Sequence, residues 1–175
     1  MVSIDRRLSG EDLLRAAASG EIPEWAEASP RRRAHMARVA ELMGEWADQL
    51  GCDEAERVRW LAVGRLHDAL RDADPEALRS YVGPRFEALP GPLLHGPAAA
   101  ARLAGLMDED AVNAIRYHTI GHPDLALLGK ALYLADFLEP DRDFSRQQRA
   151  DLRGRMPQEL EPVLADVVEA RIRHL

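Results

Sequence analysis

Trp60-Leu61-Ala62-Val63-Gly64-Arg65-Leu66-His67-Asp68 is an apolar helical stretch that ends in an imidazole beside a carboxylate. Counted in helical steps, Trp60, Val63, His67 and Leu70 fall on one stripe, so His67 occupies a core position. Asp68 lies one step round, one turn after Gly64, whose missing side chain leaves room for something bulky. A buried carboxylate must be paired or must coordinate a cation. The stretch therefore predicts a helical core with a cation inside it, and the rest of the chain has to supply that cation's other ligands.

The helical period continues on both sides. Ser9-Gly10-Glu11-Asp12 reads as a capping box that opens a short helix through Ala18, closed by Gly20. Pro30 begins a long helix whose stripe is Met36, Val39, Met43, Trp46 and Leu50, and Gly51 stops it. Asp53 caps the next helix, which carries His67-Asp68 and runs to about Leu70. Between 71 and 95 the chain is broken by Pro75, Gly83-Pro84 and Pro90-Gly91-Pro92, leaving short turns. His95-Gly96-Pro97 opens a helix through Leu106, Asp108 caps one that reaches His118-Thr119, and another runs from about Leu125 to Leu138 before Glu139-Pro140. Residues 145–175 read as one or two amphipathic helices with Leu160, Val163, Leu164, Val167 and Val168 inward. Strand alternation, repeats and linkers are absent, so the expected fold class is all-α, in one domain.

Composition narrows the functional classes. A chain of 175 residues, 46% hydrophobic, can bury a sizeable core. Its net charge of -7 argues against a general grip on nucleic acid or an anionic membrane, while leaving small anionic substrates open. The single cysteine, Cys52, excludes an internal disulfide and a cysteine-based zinc knuckle. Met1-Val2-Ser3-Ile4-Asp5-Arg6-Arg7 holds no apolar run, and no uncharged stretch approaches the ~20 residues of a membrane span. The expected location is the cytoplasm. Of 23 basic residues only Lys130 is lysine, which singles it out.

Other imidazoles and carboxylates fall on inner faces too. His35 shares a face with Val39, Leu42 and Trp46; His118 follows Ala111, Ala114 and Ile115; Asp136 follows Leu125, Leu128 and Leu132; His95 stands at a helix start. A single core histidine is more often satisfied by a backbone carbonyl than by a metal. Four histidines with Asp68 and Asp136 would each need a private partner, and a divalent transition metal is the more economical reading. The mixed nitrogen and oxygen set favours iron, manganese or zinc over magnesium. Six ligands exceed one ion's usual share and suggest two, with a carboxylate between them. His122, flanked by Gly121 and Pro123, is expected in a loop as a substrate contact, and His174 in solvent.

The ordered set His35, His67-Asp68, His95, His118 and Asp136 resembles the ligand pattern of the HD superfamily of metal-dependent phosphohydrolases. The stretches Asn113-Ala114-Ile115-Arg116-Tyr117-His118-Thr119 and Leu128-Gly129-Lys130-Ala131-Leu132-Tyr133-Leu134-Ala135-Asp136-Phe137-Leu138-Glu139-Pro140-Asp141-Arg142 are similar to its bacterial YqeK-type branch, the symmetrical diadenosine tetraphosphate hydrolases. Matched signals run from about residue 31 to 142. The resemblance implies an HD-type helical bundle, expected over 26–175; residues 1–25 have no counterpart in it and are read as a helical extension. It also implies two metal ions, iron first with manganese or zinc behind it, whose shared hydroxide cleaves diadenosine tetraphosphate into two ADP. His35, His67, Asp68 and Asp136 would hold one ion, Asp68 would bridge, and His95 with His118 would hold the other. His67 and Asp68 are thus the catalytic centre. Arg32, in the family's Arg-x-x-His, and Arg116 and Arg142 in the matched stretches would meet phosphate, because the guanidinium fork takes two oxygens at once. Lys130 is a further substrate candidate. Arg71 stands where the family commonly has lysine, and His122 where it often has arginine; both are taken as substrate contacts.

Other readings stay open at the level of sequence. One is an HD-domain nucleotidase or phosphatase acting on another nucleotide, with the same ligands and a different outer pocket. Others are a non-catalytic nucleotide-binding module and a helical interaction protein using its amphipathic C-terminal helix. The expected partner is a small nucleotide, with no nucleic acid and no membrane, and a homodimer is left open.

Overall fold

Side-chain caps set where the helices begin. Ser9, Ser29, Asp53 and Asp108 each accept a hydrogen bond from the backbone N–H three residues on, and Asp74 from the N–H two residues on. They open α1 (Gly10–Ala18), α2 (Pro30–Gln49), α3 (Glu54–Leu66), α6 (Glu109–Tyr117) and the one-turn α4 (Pro75–Leu78). The capping box at Ser9 and Asp12 forms as expected. In this computed structural model the described residues are 9–173, so the chain's opening segment and His174 lie outside them. The remaining helices are α5 (His95–Leu103), α7 (Leu127–Leu138), α8 (Arg146–Arg155) and α9 (Leu160–Ile172). Among the described residues there is no strand, and no helix is long and apolar enough to cross a membrane.

Helix α7 is apolar almost all round because it has neighbours on several sides: it packs on α2, α3, α6, α8 and α9. Leu128, Ala131, Leu132, Leu134, Ala135 and Leu138 are all buried in one cluster that also takes Met43 and Trp46 of α2 and Val63 and Leu66 of α3. Helix α1 adds Leu13 and Ala17 to the same cluster by lying along α3. The fold thus brings the ends of α3 and α6, the start of α5 and one face each of α2 and α7 toward one interior point.

Several boundaries differ from the sequence reading, each for a local reason. Helix α3 ends at Leu66, not Leu70. His67 is its C-cap, and the next bonds run from Ala69 N to Leu66 O and from Arg71 N to Asp68 O, which wind the chain into turns. Helix α5 ends at Leu103, short of Leu106, since Ala104 leaves the helix and Gly105 takes φ 79°. Leu50 and Val168, placed on inward stripes by periodicity, are 42% and 37% exposed: each lies at a rim where no second helix covers the stripe. The space at Gly64 is also not a ligand's. A Cβ there would lie 2.6 Å from Ala40 Cα and 2.9 Å from Ala40 N, so the backbone of α2 fills it.

This crossing makes a sharp stability test. Gly64→Ala forces backbone against backbone and should cost about 1–3 kcal/mol in urea unfolding. Gly154→Ala, in α8 with nothing within 4 Å of the new methyl, should stabilise by roughly 0.5–1 kcal/mol. Equal effects of the two substitutions would show that α2 and α3 can separate freely.

Candidate metal centre

Each of the six residues expected as ligands comes from a different position on the helices, and the fold brings them together. His35 lies on the first half of α2 and Asp136 two residues before the end of α7. His67 caps α3 with Asp68 directly after it, His95 is the first residue of α5, and His118 caps α6. The four histidines and Asp68 are all buried, and the Asp136 side chain is 15% exposed.

The two oxygens of Asp68 divide the site. Oδ1 lies 3.1 Å from His95 Nε2 and 3.3 Å from His118 Nε2. Oδ2 lies 3.5 Å from His67 Nε2 and 3.8 Å from His35 Nε2. Two groups able to hold a metal ion result, His35–His67–Asp68 and Asp68–His95–His118, and the carboxylate belongs to both. Asp136 stands beside the first group, its Oδ1 3.0 Å from His35 Nε2 and 4.0 Å from His67 Nε2.

The rings are oriented by their other nitrogens. Nδ1 of His67, His95 and His118 lies 2.8, 2.9 and 2.7 Å from the carbonyl oxygen three residues earlier, on Gly64, Pro92 and Ile115. A carbonyl only accepts, so in each ring Nδ1 carries a proton and Nε2 is the atom turned toward the carboxylates. His35 follows the same pattern with Glu139 Oε1 at 3.3 Å from its Nδ1. The four Nε2 atoms therefore point at carboxylate oxygens or at each other: His95 and His118 Nε2 are 3.1 Å apart, and buried His67 Nε2 has no hydrogen-bond partner. Nitrogens and carboxylate oxygens converging this closely need positive charge among them, from a cation or from protons. This donor set fits divalent metal, and the backbone and Glu139 contacts are the outer bonds that aim imidazole ligands.

Charge balance agrees. Burial disfavours ionised Asp68, yet His67, His118 and His95 around it hold its carboxyl well below the usual range. Asp136 is likewise held low against burial by His35, His67 and Arg142. Burial would lower His35, but its bonds to Asp136 and Glu139 outweigh that and raise it, whereas His95 is lowered, chiefly by burial. Glu139, 3% exposed, is pulled down to about 2 against burial by His35 and Arg38, the latter at 2.8 Å. The sequence reading took Glu139 only as the end of a helix and did not single out Arg38. Its position three residues after Asp136 was the available signal, since i and i+3 share a helical face. Thr119, with Oγ1 3.4 Å from His95 Nε2, was also not singled out.

The arginine candidates divide into two groups. Arg32 bonds Asp68 Oδ2 at 2.7 Å and Arg142 bonds Asp136 Oδ1 at 2.5 Å. Both line a cavity of about 670 Å³ with Arg31, Arg38, His35 and Glu139. Arg71 lies close enough to the cluster for its charge to oppose protonation of His95. The others stand outside that cavity. Arg116 bonds Asn113 and Glu109, Lys130 bonds Glu161 at 2.5 Å, and His122 stacks on Tyr117 at 4.5 Å beside Arg85.

Comparison with known proteins agrees with this geometry. Residues 32–141 match the HD domain family. A Bacillus subtilis protein named symmetrical bis(5'-nucleosyl)-tetraphosphatase is 34% identical over 123 residues, 65% of this chain and 63% of its own length. A Halalkalibacterium halodurans protein of the same name is 31% identical over 137 residues, 70% of this chain and 72% of its own. A Staphylococcus aureus protein, again of that name, is 31% identical over 120 residues, 64% of this chain and 60% of its own. The matched stretch thus spans less than two thirds of the first and third of these relatives. A Clostridium acetobutylicum crystal structure, described as a predicted HD superfamily hydrolase involved in NAD metabolism, superposes with a TM-score of 0.72 over 95% of this chain and 87% of that one. At 23% identity it establishes the fold.

If Glu139 aims His35, Glu139→Ala should weaken divalent metal binding by roughly 10–100-fold while leaving the helical circular dichroism in place. Titration with manganese followed by calorimetry reads this directly, and unchanged affinity would remove Glu139 from the metal centre.

Proposed function

Because this chain belongs to the HD domain family, we propose that it is a metal-dependent phosphohydrolase that cleaves diadenosine tetraphosphate symmetrically into two ADP. The observation that carries the reading is the division of Asp68 between two histidine groups, one facing each carboxylate oxygen. The names of the three curated relatives support the choice of substrate. In this reading His35, His67, Asp68 and Asp136 would hold one ion, and Asp68, His95 and His118 would hold the second. Iron is the first choice for both, with manganese or zinc also suited to a mixed nitrogen and oxygen set. When bound, such ions supply Lewis acidity that activates water near neutral pH and neutralises charge on phosphoryl oxygens.

The chain's own residues then have defined work. Asp68 stays ionised because the surrounding imidazoles stabilise its charge, so it serves as an anionic ligand and not as a proton carrier. The carbonyls of Gly64, Pro92 and Ile115 and the Glu139 carboxylate keep the four rings turned inward. Arg32 and Arg142 are bonded to the ligand carboxylates, and the cavity they share with Arg31 and Arg38 sets four guanidinium groups among the carboxylates of Asp72, Glu139, Asp141 and Asp143. The guanidinium forks suit phosphoryl oxygens, and the volume suits part of a nucleotide. Arg71 adds charge near the second group. Arg116, His122 and Lys130, outside that cavity, would meet only outer parts of the substrate in this reading.

Product analysis tests the proposal. With iron or manganese, diadenosine tetraphosphate should yield ADP alone, since one water is added across the central anhydride. AMP with ATP would mean an asymmetric geometry. Loss of phosphate from a nucleoside monophosphate, without turnover of the dinucleotide, would instead favour the nucleotidase reading. Asp68→Ala should abolish turnover and deplete both ions, whereas His118→Ala should deplete one; equal depletion by both variants would count against the shared carboxylate.

A further inference from the structure

The HD domain match stops at residue 141, yet the two helices that follow bond the backbone beside residues of the metal centre. Arg149 of α8 is only 2% exposed. A guanidinium buried to that degree is costly unless its donors are met. Among the described residues no carboxylate pairs with it. Its two terminal nitrogens donate instead to three main-chain carbonyls, those of Phe137, Glu139 (3.4 Å) and Phe144 (3.4 Å), while its Nε has no hydrogen-bond partner. Its plane also lies over two rings, 4.5 Å from the centroid of Phe144 and 5.2 Å from that of Phe137. Burial, with the charge of Arg142 adding to it, pulls its pKa down to about 10. Four residues on, Arg153 donates to the Leu138 carbonyl at 2.6 Å.

Three consecutive carbonyls at the C-terminus of α7 are therefore taken by one neighbouring helix. Helix ends leave such carbonyls without partners, and a cation there also meets the negative end of the helix dipole. The segment held in this way is the one that carries functional groups. Asp136 precedes Phe137, and Glu139 and Arg142 lie between the two phenylalanines whose carbonyls Arg149 joins. A hydrophobic side chain could fill the volume, and a lysine could bond one carbonyl. Only a planar fork of five donors can join the helix end to the far end of the loop. Helix α9 makes a comparable contact on the other half: Arg171 lies over the Tyr133 ring at 4.7 Å and donates to the Thr119 carbonyl at 3.0 Å, next to His118.

We infer that Arg149 is a positioning residue for the metal centre, holding the backbone from which Asp136, Glu139 and Arg142 project, with Arg153 securing the intervening carbonyl. This rests on the hydrolase reading above. The C-terminal helices are then part of the active unit and not a separate interaction element.

The test compares three variants of the full chain by bound manganese after gel filtration, manganese affinity, turnover and melting temperature. Arg149→Met keeps length and apolar contact with the two phenylalanines while removing all the donors. It should fall from about two equivalents of manganese toward about one and lose at least about tenfold in kcat. Arg153→Gln, at a half-buried position, should shift manganese affinity in the same direction by less. Leu152→Ala opens a cavity on the same helix without touching a carbonyl, so it should lower the melting temperature and keep both equivalents. The inference fails if Arg149→Met binds manganese as wild type does, or if Leu152→Ala loses as much metal. Should Arg149→Met not fold, wild-type affinity in Arg153→Gln overturns it. Wild-type protein that takes up no manganese or iron would overturn the hydrolase reading itself and this inference with it.

Discussion

A single buried carboxylate sets the terms for the rest of this molecule. Asp68 is 3% exposed and stays ionised, so the fold must surround it with groups that tolerate a negative charge in the interior. It does so with four imidazoles and one guanidinium, that of Arg32. With Nδ1 of each ring engaged elsewhere, all four Nε2 atoms turn inward on the two carboxylate oxygens, which is why the arrangement reads as a cation site. The two carboxylate oxygens then become the two halves of the site.

The same four histidines show how local structure prepares chemistry. His67 and His118 cap the ends of α3 and α6, where carbonyls have lost their helical partners, and each ring takes up the carbonyl three residues back. His95 does so from a turn that leads into α5. Helix termination and ligand orientation are thus one event: the carbonyl that would otherwise need a cap aims the ring. His35 lies within α2, has no free carbonyl to use, and is aimed by Glu139 from another helix. That difference makes its orientation depend on the end of α7 and on the arginines that hold it.

Much of this was legible in the chain. Helical periodicity placed the inward faces, the side-chain caps marked the helix starts, and the residue types at His35, His67, Asp68, His95, His118 and Asp136 pointed to a metal. What misled the reading was the rim and the ends. Leu50 and Val168 satisfy the period but lie where no partner helix covers them. Gly64 reads as room for a ligand because a sequence cannot show which backbone will approach it. For Arg116 and Lys130 the chain could not show that acids and an amide at i−7, i−3 and on α9 would bond them outside the cavity that Arg32 and Arg142 line. Arg149 gave no signal at all, since an arginine among arginines on a polar-looking helix reads as surface.

The sequence by itself determined the helical class, which imidazoles and carboxylates lie on inward faces, and the expectation of a cation among them, because these follow from period, capping chemistry and the cost of burying charge. Only the tertiary structure decided that Asp68 faces one histidine pair with each oxygen, that Glu139 aims His35, and that α8 grips the end of α7. These are relations between segments up to 104 residues apart in the chain, as His35 and Glu139 are, and they depend on crossing distances such as the close approach of Ala40 to Gly64. Periodicity says which face is inward; it carries no information on which oxygen meets which nitrogen once the faces have met.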